Sequence, residues 1–100
     1  MVTLVFLPQA LENLKKISES YDASIPEYRE RAIEQLITRF MVLEYSPDIG
    51  REHPDPFLAH LGYRVLIFRD FGGVYRVQRK KAYIYGVFGV SGPGEEWLQE

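Results

Sequence analysis

The sequence predicts a small α+β domain in which a short leading strand and a two-helix hairpin precede an antiparallel β-meander. A β-branched apolar run opens the chain, two helical patterns follow it, and three β-rich runs come after a break at Pro47 and Gly50. The connections between the last three runs are short, which requires antiparallel neighbours. We therefore expect the order β-α-α-β-β-β in a single domain over residues 1–100, with residues 91–100 as a tail.

The leading strand is expected over residues 2–7, because an apolar run of this length is typical of a strand buried on both faces. Pro8 can open the first helix, since its missing N–H would be unpaired at that position anyway. We expect this helix to end at Asp22 and Ala23. Its apolar side chains recur at helical spacing and are Ala10, Leu14, Ile17 and Tyr21.

The second helix has the clearest start signal in the chain. Ser24 and Glu27 match a capping box, in which each side chain accepts a hydrogen bond from the other residue's backbone, and Pro26 lies in the first turn. One broad apolar face is expected to cover the sheet, and it comprises Ala32, Ile33, Leu36, Ile37, Phe40 and Leu43.

A turn and a loop connect this helix to the meander. Pro47 disfavours helical backbone at Ser46, and Gly50 permits the positive φ that a turn can need. Two prolines and scattered polar residues predict an irregular loop over residues 52–60. The strands of the meander are then expected over residues 63–69, 74–79 and 82–88.

Composition excludes several kinds of site. The chain has no cysteine, which removes disulfides, a thiolate nucleophile and a cysteine zinc site, and its two histidines are too few for a metal centre of their own. We therefore expect neither metal nor cofactor. The chain lacks an apolar run long enough to cross a bilayer and a basic leader, and this predicts a cytoplasmic protein.

Charge is distributed unevenly along the chain, whose net charge is −2. Residues 1–50 carry −3 and the last ten residues −3, whereas residues 51–90 carry +4. A basic sheet suits an anionic partner, although ordinary solvated strands often carry a similar charge. The acidic tail over residues 91–100 is also expected to be able to fold back across the basic strands.

The candidate site residues are cationic and aromatic side chains of the sheet half. They are candidates for binding a target or phosphate, and comprise Arg51, Arg64, Arg69, Tyr75, Arg76 and Arg79. Structural alternatives stand beside these roles: Arg51 can bond the last carbonyls of helix two, arginine stems can pack on apolar neighbours, and tyrosine is a good strand former. Alternation predicts Arg64 on the face of Leu66 and Phe68, which leaves Arg69 for the opposite face.

The element order, with three motifs, resembles the RelE/ParE superfamily of toxins. The motifs are the break at residues 47–51 (PDIGR), the strand start at residues 62–64 (GYR) and the strand at residues 74–77 (VYRV). The resemblance implies the toxin of a bacterial type II toxin–antitoxin pair, as in plasmid stabilisation systems. It also implies a cognate antitoxin that wraps an amphipathic segment over the helices and a sheet edge. The assembly that it implies is either a toxin homodimer or a heterotetramer of toxin and antitoxin.

Two branches of this superfamily imply different activities. ParE-like members inhibit DNA gyrase and arrest growth, whereas RelE-like members cleave messenger RNA at the ribosome. Residues 89–94 contain no Tyr, His, Lys or Arg, which RelE-like members place near the end of the last strand, and the Pro-x-x-Gly-Arg break is more typical of ParE-like members. The sequence therefore favours gyrase binding over hydrolysis. A ribosome-dependent endoribonuclease and a diverged inactive toxin stay open as alternatives, because ParE-like members also carry basic residues after the last strand.

Overall fold

The computed structural model describes residues 1–19, 26–68 and 71–89. The predicted order of one strand, two helices and a meander is confirmed. The elements are β1 (Thr3–Phe6), α1 (Pro8–Glu19), α2 (Pro26–Phe40), β2 (Arg51–Glu52), α3 (Pro56–His60), β3 (Tyr63–Ile67), β4 (Phe71–Gln78) and β5 (Lys81–Gly89). The predicted end of helix one, the Ser24 cap, Arg69 and the tail over residues 91–100 lie outside the described residues.

The five strands form one mixed sheet in the order β1-β5-β4-β3-β2. β1 runs parallel to β5, with Thr3 opposite Lys81, and the other neighbours are antiparallel. This arrangement corrects the expectation that the leading strand is buried on both faces. β1 lies at an edge of the sheet, and its residues are half-buried or exposed.

The helices cover one face of the sheet and close the core against it. Leu14 of α1 and Phe40 of α2 are buried there together with Tyr75 and Ile84 of the strands. The Phe40 ring is central to this core because it makes edge contacts with three other rings. Its centroid lies 5.7 Å from that of Phe6, 5.3 Å from that of Phe68 and 5.8 Å from that of Phe71.

β4 begins three residues before its predicted start, because Phe71 pairs with β5, and Gly72 and Gly73 pair with both β3 and β5, instead of forming a turn. A side chain at Gly73 would lie 2.6 Å from the Phe40 ring, and one at Gly72 would lie 2.7 Å from the Phe88 ring. These glycines therefore accommodate aromatic rings on opposite faces of the sheet. A hydrogen bond of 2.7 Å from the Phe68 N–H to the Phe71 carbonyl closes the β3–β4 hairpin.

The loop predicted over residues 52–60 contains two short elements, which corrects that prediction. Arg51 and Glu52 add an edge strand to β3. Asp55 then caps α3, accepting hydrogen bonds from the Phe57 N–H at 2.8 Å and the Leu58 N–H at 3.3 Å. An aspartate directly before a proline is a helix start signal, and here it outweighs the loop composition.

The end of helix two also differs from its prediction. α2 ends at Phe40, and a 3-10 turn over Met41–Glu44 follows it, yet Leu43 is buried as expected. Within the three described ranges, no helix combines the length and apolar character needed to span a bilayer.

Candidate functional site

The face of the sheet opposite the helices is the candidate binding surface. Because Tyr75 and Ile84 face the helical core, the strand residues that alternate with them form what we call the open face. Its members are Thr3, Val5, Arg51, Tyr63, Val65, Ile67, Gly72, Val74, Arg76, Gln78, Lys81, Tyr83, Tyr85 and Phe88, of which Val65 and Gly72 are buried.

A β-bulge shapes this face. The register between β4 and β5 shifts between Val74 and Tyr75, so that Val74 opposes Gly86 while Tyr75 opposes Ile84. Tyr85 is the extra residue, and it lies on the same side of β5 as Tyr83, because both are strand neighbours of the core residue Ile84. Tyr85 therefore lies on the open face without a direct register partner on β4.

Arg76 lies at the centre of an aromatic cluster on the open face. Its register partners are Tyr63 on β3 and Tyr83 on β5. The guanidinium carbon lies 5.3 Å from the Tyr63 ring centroid, a cation–π contact, and the Tyr63 and Tyr85 rings meet edge to face at 5.0 Å. The three half-buried side chains hold one another in a defined arrangement.

The electrostatics of this cluster act against ionisation of Tyr85. Burial raises the pKa of Tyr85 above its ordinary value, the neighbouring Tyr63 hydroxyl raises this pKa further, and the charge of Arg76 opposes the shift. Tyr85 is therefore a neutral hydrogen-bonding group near pH 7, and Arg76 supplies a permanent positive charge.

The hairpin between β4 and β5 extends the cationic surface. Arg79 and Lys80 form its two-residue turn with φ of 49° and 67°, a left-handed conformation that β-turns of type I′ require at both positions. Arg79 lines an open pocket of about 460 Å³ together with Gln78 and Tyr83. The hairpin tip thus places a guanidinium, an amide and a phenol around one cavity.

Arg64 has a structural position instead. It lies on the core side of β3 opposite Tyr75, as the predicted alternation with Leu66 requires. Its guanidinium donates hydrogen bonds to the carbonyl of Gly50 at 2.6 Å and to that of Asp48 at 3.3 Å. Arg64 therefore ties the turn at residues 47–50 to the sheet.

Arg51 does not cap helix two as the sequence allowed. Its exposed side chain lies on the edge strand β2, on the open face opposite Val65. Among the described residues, Arg64 is the arginine that bonds the carbonyls of the preceding turn.

Tyr75 belongs to the core and not to the candidate surface. Its side chain is 0% exposed, and its hydroxyl accepts a hydrogen bond from the Gly50 N–H at 2.9 Å and donates one to the Pro47 carbonyl at 2.8 Å. A tyrosine with no exposed ring surface cannot stack on a base or meet a target. Burial also raises the pKa of Tyr75 above its ordinary value.

The role predicted for Gly50 changes as well. Gly62, at 96°, is the glycine with positive φ in the described ranges, so Gly50 does not supply that conformation. Instead, a side chain at position 50 would lie 2.7 Å from the Tyr75 ring and 2.9 Å from the Val65 carbonyl. Position 50 therefore requires glycine, because a larger residue would not fit beside Tyr75 and Val65.

The structure thus brings together two of the six candidates, Arg76 and Arg79, at one end of the open face. Sequence reasoning missed Tyr63 as the partner of Arg76, although its alternation with Arg64 places it on this face. No group of three or more His, Asp or Glu side chains within the described ranges is arranged to hold a metal ion.

Comparison with known proteins identifies the family. Residues 4–91 match the family model of the ParE toxin of the parDE type II toxin–antitoxin system. Among solved structures, the chain is similar to one from the chromosomal ParDE TA system of P. aeruginosa, with 23% identity and a TM-score of 0.71. The alignment covers 91% of this chain and 98% of that one, while no curated protein matches. The family match spans most of the chain and agrees with the observed fold, so this protein belongs to the ParE toxin family of type II toxin–antitoxin systems.

Proposed function

We propose that this protein arrests bacterial growth by binding DNA gyrase in the cytoplasm and is neutralised by a cognate antitoxin. The match of residues 4–91 to the ParE toxin family carries the proposal, since membership of that family implies an antitoxin partner. The open face supplies the surface on which we place the contact with the target, because it is the side of the sheet that the helices leave uncovered.

The chemistry of the open face favours binding over hydrolysis. Cleavage of RNA by its own 2′-hydroxyl needs a group that can take up a proton near pH 7. The pKa of Tyr85 is shifted upward by burial, away from neutrality, and Arg76 stays protonated. The cluster of Arg76, Tyr63 and Tyr85 is thus suited to anchor a partner, since arginine and tyrosine dominate the binding energy of protein interfaces.

The antitoxin contact is proposed for a different side of the molecule. The family resemblance implies an amphipathic segment laid over the helices and a sheet edge. Leu11 on α1 is 51% exposed and Met41, just after α2, is 44% exposed, so apolar groups are available on the helical side. We propose that toxin neutralised in this way forms a heterotetramer with its antitoxin.

Two assays with antitoxin-free protein test the proposal. The first measures supercoiling of relaxed plasmid by purified gyrase, where we expect dose-dependent inhibition that added antitoxin reverses. The second incubates the protein with translating ribosomes and maps cleavage of the message, where we expect intact message. Message cleavage without gyrase inhibition would replace the proposal with the ribonuclease alternative, and loss of both activities, with no growth arrest on expression, would identify an inactive homologue.

A further inference from the structure

We propose that the pocket at the hairpin end of the open face binds a single-stranded polynucleotide, with a base on Tyr83 and the phosphates on Arg79 and Lys81. The pocket is lined by Gln78, Arg79 and Tyr83 and has a volume of about 460 Å³. Lys81 lies directly opposite Gln78 in the β4–β5 register. This inference goes beyond the proposed function, because it needs neither gyrase nor an antitoxin.

The charge of this surface has one sign. The strand positions of the open face that the structure describes include Arg51, Arg76 and Lys81 and no Asp or Glu, and Arg79 and Lys80 add two cations at the hairpin tip. The whole chain, in contrast, carries a net charge of −2. A surface of one sign on an acidic protein selects a polyanion, and phosphodiester backbones are polyanions of regular spacing.

An aromatic side chain lies inside this cationic surface. Tyr83 lines the pocket, and none of the aromatic pairs within the described residues includes its ring, whereas Tyr63 and Tyr85 are engaged with each other. Stacking of a base on an aromatic ring next to cations is the usual mode of single-strand recognition. Gln78 adds both a donor and an acceptor for the edge of that base.

The turn beside the pocket has an unfavourable backbone conformation. Arg79 and Lys80 both have positive φ, which is sterically unfavourable for residues other than glycine. The turn projects two long cationic side chains where Asn-Gly would form the same geometry more readily. Stored strain of this kind is found at functional positions, which agrees with a ligand contact at the tip.

A single strand is favoured over a duplex because bases in a duplex stack on one another and cannot lie on Tyr83. We expect the pocket to bind single-stranded DNA and RNA alike, because the proposed contacts are to the base and the phosphate, which both polymers have. The test therefore uses fluorescein-labelled 12-mers of one mixed sequence, as DNA, as RNA and as duplex DNA.

Fluorescence anisotropy measures binding by the full-length, antitoxin-free protein at several salt concentrations. We expect both single strands to bind more tightly than the duplex. Tyr83→Ala should weaken single-strand binding by about 5-fold to 150-fold, while Tyr83→Phe, which keeps the ring, should bind like the wild type. Arg79→Asn, which tolerates positive φ, should lower the slope of log affinity against log salt by about 0.7, because one phosphate is no longer neutralised.

Lys16→Gln is the matched control for charge, because it removes one cation from an exposed position on α1. It should leave affinity and salt slope unchanged, and thermal unfolding checks that each variant is folded. If Tyr83→Ala is unfolded, Arg79→Asn alone decides the test. Equal reductions for Lys16→Gln and Arg79→Asn, tighter binding of the duplex, or no binding of either single strand would overturn the inference. Gyrase inhibition that persists without such binding would leave the proposed function intact.

Discussion

The Tyr75 ring fills the space that a side chain at position 50 would occupy. An ideal Cβ on Gly50 would lie 2.7 Å from the ring and 2.7 Å from the hydroxyl of Tyr75, and the Gly50 N–H donates to that hydroxyl at 2.9 Å. The two residues are 25 positions apart in the sequence. Their contact holds the chain between α2 and β2 against the centre of the sheet. Arg64 stabilises the same segment by donating a hydrogen bond to the Gly50 carbonyl.

Substitution of Gly50 by alanine should destabilise the protein. The added methyl group would have to displace a fully buried ring and the Val65 carbonyl, an overpacking that costs about 1–3 kcal/mol of the free energy of unfolding. Urea unfolding measures this decrease. Gly89→Ala is the control, because no atom of the described residues, its chain neighbours apart, lies within 4 Å of the place that its methyl group would take, and it should change stability little. Equal stability of the two variants would contradict the packing role.

Removal of the Tyr75 hydroxyl should also destabilise the fold, although the ring remains. Tyr75→Phe leaves the Gly50 N–H and the Pro47 carbonyl without their buried partner, at a cost of about 1–3 kcal/mol. Tyr63→Phe is the comparison on the open face, where we expect a smaller decrease. The free energies of unfolding of both variants in urea decide the point, and a neutral Tyr75→Phe would show that the two hydrogen bonds do not stabilise the fold.

The same residue predicts a pH dependence at alkaline pH. Burial raises the folded-state pKa of Tyr75 above 10.0, so the unfolded chain loses this proton first. The stability that results is complete below about pH 10 and is lost as the pH rises through the folded-state pKa. Above about pH 10, the free energy of unfolding of Tyr75→Phe should therefore decline less steeply than that of the wild type. The part of the decline that is due to Tyr85 should remain in this variant. Parallel curves of unfolding free energy against pH would rule out this linkage.

The β4–β5 turn should be open to stabilisation. Lys80 has a φ of 67°, which glycine adopts without steric cost, so Lys80→Gly should raise the free energy of unfolding by about 0.5–1 kcal/mol. Lys81→Gly, inside β5, should lower it. Thermal unfolding compares the two variants, and a destabilised Lys80→Gly would show that the side chain of Lys80 outweighs its backbone strain.

Much of the fold could be predicted because local signals and the apolar pattern agree. Pro8 and Pro26 open the two long helices, and alternation along residues 63–67 places Arg64 beside Leu66 as observed. The start of β4 could not be predicted from composition, since two glycines in a row are typical of a turn. The strand at these two glycines is explained only by the Phe40 and Phe88 rings, which pack against them on opposite faces of the sheet.

The candidate site was predictable only in part. Arg76 and Arg79 were recognisable as cations of the strands, but the register and the bulge that bring Tyr63 and Tyr85 to Arg76 are long-range features. Tyr75 and Arg76 are neighbours in sequence and point to opposite faces, so one is core and the other surface. Whether Tyr75 or Arg76 points toward the helices depends on the arrangement of the whole sheet.

Gyrase inhibition by paired arginine variants tests the central claim most directly. We place Arg76 at the target contact and Arg64 in the support of the turn. The measurement is the concentration of folded, antitoxin-free protein that halves supercoiling by purified gyrase. We predict inhibition by the wild type, at least about a tenfold higher concentration for Arg76→Ala, and a value near the wild type for Arg64→Ala despite its lower stability. No inhibition by the wild type, or equal values for Arg76→Ala and the wild type, would contradict this assignment.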